Sequence, residues 1–116
     1  MNPEALAKHV EQLFTKCAAV MTKKNADYSS SNENAFRNFE AVERLGITDV
    51  KSGMLVRLTD KLTRVANLLK KDPQVVEESI SDTIEDAINY LALLHAKIAS
   101  EKRENTNGGA GGHGGR

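Results

Sequence analysis

The chain of 116 residues has one cysteine, two prolines, no tryptophan and no excess of charge of either sign. A single thiol, Cys17, excludes an intramolecular disulfide and a zinc site built from several cysteines. Sixteen basic and sixteen acidic side chains cancel to a formal charge of zero. That argues against attachment to nucleic acid or to an anionic membrane by bulk charge. No apolar run approaches the ~20 residues of a membrane span, and residues 1–8 lack the basic and apolar segments of a secretory signal. A soluble, cytoplasmic protein is expected.

Glycine is scarce where it would break structure. Six of the eight glycines fall in residues 108–116, and only Gly46 and Gly53 lie in the body. An all-β domain needs a turn about every 8–12 residues, and this body has too few turn formers to supply them. The expected fold is all-α: an antiparallel bundle of three long helices plus a short one over residues 1–104. The Gly-rich residues 105–116 are expected to form a disordered tail.

The periodicity supports this. Asn2, Pro3 and Glu4 form a helix start, with a capping side chain, proline at the first position and an acid at the positive dipole end. Leu6, Val10, Leu13, Phe14, Cys17, Val20 and Met21 recur at helical steps to about residue 23. Cys17 on that stripe reads as a small core residue. Three of the five aromatics, Tyr28, Phe36 and Phe39, cluster around a polar loop, which should pack back on the helices or cover a ligand. A short helix over residues 36–45 ends at Gly46, where a left-handed conformation is easiest. A second long helix from residue 48 or 52 to residue 70 should turn Leu55, Leu58, Leu62, Val65 and Leu69 inward. A third, capped by Asp72 and opened by Pro73, should bury Val76, Ile80, Ile84, Ala87, Ile88, Leu91, Leu94 and Ile98 and run to about residue 102. Its segment 88–99 is apolar almost all round, so a patch should remain for a homo-oligomer, a dimer or larger, to cover.

Two charged ridges carry the functional signal. Arg57, Asp60, Lys61 and Arg64 share one face of the second long helix. Glu78, Asp82, Asp86 and Asn89 form a ridge on the third, with Glu85 beside it. Solvated faces joined by weak surface ion pairs are one reading. Acids holding a hard cation such as Mg²⁺, with the basic residues on phosphate oxygens, are another. Apolar neighbours on the acidic ridge, Val75 before it and Leu93 after, point to partly covered carboxylates. Spacing alone does not choose.

The blocks Lys24-Asn25-Ala26-Asp27-Tyr28, Asn38-Phe39, Val56-Arg57-Leu58-Thr59-Asp60-Lys61-Leu62-Thr63-Arg64, Glu78-Ser79-Ile80-Ser81-Asp82-Thr83 and Asp86-Ala87-Ile88-Asn89-Tyr90 occur in that order. In this they resemble the nucleotide modification associated domain type 1 family of bacteriophages and prophages. The arrangement is also similar to the all-α, MazG-like nucleoside triphosphate pyrophosphatases, which cut between the α and β phosphates with Mg²⁺. Ser29 stands where the family has glycine, and the pyrophosphatase pattern of paired acids on two helices is replaced by Asp60 alone on one helix and Glu78, Asp82 and Asp86 on the next. The resemblance implies metal ligands among Asp60, Glu78, Asp82 and Asp86, and phosphate contacts from Lys24, Arg57, Lys61 and Arg64. It implies base or sugar contacts from Asp27, Tyr28, Asn89 and Tyr90. The expected function is nucleotide handling in phage or bacterial metabolism. It is either a Mg²⁺-dependent pyrophosphohydrolase acting on modified dNTPs or a non-catalytic binder that sequesters a nucleotide or a nucleotide signal of host defence.

Overall fold

The computed structural model describes residues 1–28, 36–71 and 73–108, and the side chains of residues 1–24, 36–71 and 79–105. Four helices follow in chain order: α1 (Pro3–Tyr28), α2 (Arg37–Arg44), α3 (Val50–Leu68) and α4 (Pro73–Gly108). No strand occurs among the described residues. The fold is all-α, with three long helices and one short helix. No helix among the described residues is long and apolar enough to cross a membrane.

Local chemistry sets the helix ends. Asn2 Oδ1 accepts from the Ala5 amide at 2.8 Å, satisfying a donor at the start of α1. Asp49 does the same for α3, accepting from the Ser52 amide at 2.8 Å and the Ser52 hydroxyl at 3.1 Å. Those bonds hold its carboxyl below the ordinary carboxylate range. Gly46 ends the α2 segment at φ 76°, and the Gly46 and Ile47 amides donate back to Glu43 and Val42. That is the left-handed stop expected of it. Helix α1 runs beyond residue 23 to Tyr28, and α4 beyond residue 102 to Gly108, so residues 105–108 extend the helix. Residues 109–116 and Asp72 lie outside the described residues.

Helices α3 and α4 are antiparallel, with Arg57 against Tyr90, Lys61 against Asp86 and Arg64 against Thr83. Lys16 and Lys24, two turns apart on α1, meet the adjacent residues Glu85 and Asp86, so α1 meets α4 obliquely. The core is small: Cys17, Val50, Met54, Leu58 and Ala87 are buried, together with Thr83 and Glu85. Cys17 is therefore the core residue that its place on the stripe suggested.

The inward faces differ from the expected ones. Of the leucine stripe on α3, Leu58 is buried and Val65 half-buried, while Leu55, Leu62 and Leu69 are exposed. The face that meets α4 runs instead through Val50, Met54, Leu58, Lys61, Val65 and Leu68. The physical reason is Lys61, whose aliphatic stem lies along the interface while its ammonium reaches Asp86. On α4, Ala87 is buried and Ile80, Ile88 and Leu94 half-buried, but Ile84, Leu91 and Ile98 are exposed. The Val76 side chain lies outside the described residues. On α1, Leu6 and Phe14 are likewise exposed, and its first turns touch nothing closely enough to be covered.

Gly53 on α3 lets α2 dock. A Cβ at this position would stand 3.0 Å from Val42 Cγ2, and β-branched valine has little rotamer freedom to retreat. Gly53→Leu should therefore push α2 away and destabilise the fold by about 1–3 kcal/mol in urea melts, despite leucine's better helix propensity.

Candidate functional site

All four helices contribute to one cavity of about 130 Å³. Met21 and Lys24 line it from α1, Asn38 and Phe39 from α2, and Arg57 from α3. Helix α4 supplies Asp86, Asn89, Tyr90 and Leu93. The α4 residues fall on one flank because three- and four-residue steps stay on one side of a helix.

Tyr90 is the ring around which the cavity is built. The Phe39 ring meets it edge-on, with centroids 6.1 Å apart and planes at 85°. The Arg57 guanidinium carbon stands 5.8 Å from its centroid, within cation–π range. A second such contact, Lys97 Nζ 5.4 Å from the Phe36 ring, ties the entry of α2 to α4. Asn38 and Asn89 add two amides able to donate and accept hydrogen bonds. A planar ring, a cation and paired amides in one concavity suit a flat heterocycle joined to an anion.

Asp86 is held on both oxygens. Lys24 Nζ bonds Oδ1 at 3.0 Å and Lys61 Nζ lies 3.2 Å from Oδ2, so one carboxylate joins α1, α3 and α4. Burial pushes the Asp86 carboxyl up, but hydrogen bonds and charge from the two lysines outweigh that and hold it below the ordinary range. A metal on Asp86 would have to displace a lysine from it.

Several residues singled out in the sequence meet here: Lys24, Arg57, Asn89, Tyr90 and Asp86 line the cavity, with Lys61 bonded to Asp86. Others do not. Asp60 and Asp82 are exposed and line no part of it. Arg64 Nε donates to Thr83 Oγ1 at 3.3 Å, which holds the guanidinium against α4 beyond the cavity. No group of three or more acids, histidines or cysteines placed to hold a metal occurs among the described residues. The side chains of Asp27, Tyr28 and Glu78 lie outside the described residues. Met21, Asn38, Phe39 and Leu93 were not singled out as site residues. The cluster of aromatics around the loop pointed to Phe39, and the Asn38-Phe39 block of the resemblance pointed to both residues.

Glu85, the buried acid beside the ridge, is engaged elsewhere. It accepts from Lys16 Nζ at 3.1 Å and from the Ser81 hydroxyl at 3.3 Å. The nearby Cys17 thiol lies 4.0 Å from the Glu85 carbonyl, and burial pushes its pKa up, which keeps it protonated and inert.

Because Asp86 titrates below the ordinary 3.8, the stability it contributes is complete above that value and is lost as pH falls through its own lower pKa. Asp86→Asn removes the carboxylate that Lys24 and Lys61 share. It should cost about 1–2 kcal/mol at pH 7 in denaturant titrations, and the deficit should shrink below about pH 4. A deficit independent of pH would contradict this account. No family model matches the chain, and neither a curated protein nor a solved structure matches it.

Proposed function

We propose that this protein binds a nucleotide in the cavity among its four helices. The observation that carries the reading is the joining of Arg57, Lys24 and the two amides Asn38 and Asn89 around the Tyr90 ring. The cavity, open on one side, has a volume of about 130 Å³, close to the ~150 Å³ of a cavity that accepts one benzene ring. A base ring enters it, while sugar and phosphate remain at the rim. There Arg57, exposed, presents a cation to phosphate oxygens, beside Lys24, whose ammonium is paired with Asp86. The resemblance of the sequence blocks to the nucleotide modification associated domain type 1 family supports the same ligand class and a role in phage or bacterial nucleotide metabolism. The setting is the cytoplasm, of the host if the chain is phage-encoded, and the working form is a homo-oligomer.

Of the two outcomes for the bound nucleotide, retention fits the site better than cleavage. Asp86, the acid that lines the cavity, is neutralised by two lysines, and Asp60 and Asp82 stand outside it. Two lysines compete with any cation for the charge of Asp86, and no other acid among the described residues lines the cavity. The lining therefore does not fit a resident Mg²⁺, and hydrolysis is the outcome to be excluded. Calorimetry with a panel of ribo- and deoxynucleotides, with and without Mg²⁺, should show binding that falls at least tenfold in Arg57→Ala and Tyr90→Ala. The ligand should return unchanged from the denatured complex. Mg²⁺-dependent release of pyrophosphate that is lost in Asp82→Asn would replace retention with hydrolysis, and no heat with any nucleotide would overturn both.

A further inference from the structure

Helices α3 and α4 each carry a ladder of large apolar side chains that their own chain leaves open. On α3, Leu55, Leu62 and Leu69 are 48%, 54% and 70% exposed, and on α4, Ile84, Leu91 and Ile98 are 40%, 52% and 41% exposed. Both ladders step by seven residues, and seven residues fall only about 20° short of two full turns, so each stays on one line of its helix.

The two lines share a side of the α3/α4 pair. Gly53 faces α2, and Leu62 stands about 180° from it at 100° per residue. Asp86 and Asn89 face the cavity, and Ile84 and Leu91 stand about 160° from them. The ladders therefore form one face opposite the cavity. Thr59 and Ala66 complete it on α3, and Ile88 and His95 on α4. Those ten positions include no acid, lysine or arginine, and Lys51 and Lys102 bound the face at one end.

The occupant follows from what the face lacks. Residues 29–35 and 109–116 contain no apolar side chain larger than alanine, so neither segment offers it a cover. A lipid surface or a charged peptide would call for basic or acidic groups along the same ridge. A second copy needs none. A seven-residue apolar repeat on two antiparallel helices is its own complement under a two-fold rotation, as in four-helix packing. The face offers on the order of 600 Å² along the length of α3, close to the ~800 Å² per partner of a standard interface.

We propose that this face is the contact of a two-fold dimer. In it α3 and α4 of one copy pack on α3 and α4 of a second as a four-helix layer, with both cavities turned outward. This deepens the homo-oligomer part of the proposed function and is independent of the ligand. Light scattering should give about twice the chain mass of 12.7 kDa. Leu62→Asp and Leu91→Asp should each reduce it to one chain with an unchanged helical circular dichroism spectrum, while Phe14→Asp, off this face, leaves it doubled. A wild-type mass of one chain, or an oligomer that persists in folded Leu62→Asp and Leu91→Asp, overturns the proposal. If the aspartate variants do not fold, the Leu62→Ala, Leu91→Ala double variant should raise the dimer dissociation constant at least tenfold, and an unchanged constant overturns it. A monomeric wild type that still binds nucleotide would sink the dimer and leave the ligand reading intact.

Discussion

The carboxylate of Asp86 is the constraint on which the arrangement depends. It sits on α4, is only one-quarter exposed, and takes a lysine from α1 on one oxygen and a lysine from α3 on the other. An unpaired carboxylate at that depth would be costly, and either lysine alone would leave part of its charge uncompensated. Three helices are thus held in one register by one charge. The core is too small to do that alone, since among the described residues the buried apolar side chains are few and only Met54 is fully enclosed. In that register Lys61 is half-buried at the interface, and Leu55, Leu62 and Leu69 are exposed.

The cavity is a by-product of the same geometry. Because α1 meets α4 obliquely and α2 comes close to α3 at Gly53, a gap opens between them, and Tyr90, Phe39 and Arg57 fill its wall. The aromatic pair and the guanidinium brace one another, so the wall is shaped before anything binds. The cavity and the apolar face occupy opposite sides of the α3/α4 pair. The two features therefore draw on separate residues, and each can be altered without the other.

The helices were legible because they are written locally. Asn2 and Asp49 cap, Gly46 stops, and long alternations of apolar and polar residues at helical steps mark the rest. Asp49 caps α3 between residues 48 and 52, the two starts that the periodicity allows. Half of the cavity was also legible: Lys24, Arg57, Asp86, Asn89 and Tyr90 stood out through charge or through the blocks of family resemblance. Met21 and Leu93 did not, because an apolar residue on a stripe looks the same whether it faces a core or a cavity. Asp60, Asp82 and Arg64 stood out and yet lie away from it, because a shared helix face says nothing about how far along the helix the partner ends.

The sequence by itself decided the class of fold, the number of helices, their approximate ends and the scarcity of groups able to crosslink them. These depend on backbone propensities and on neighbours within a few residues. Only the tertiary structure decided which stripe of each helix turns inward, and that Asp86 answers to two lysines. Periodicity measures the polarity around one helix, whereas the rotation of that helix is set by what it meets. Lys61, with its long apolar stem and the Asp86 carboxylate across the interface, takes a half-buried place, while Leu55, Leu62 and Leu69 stay exposed.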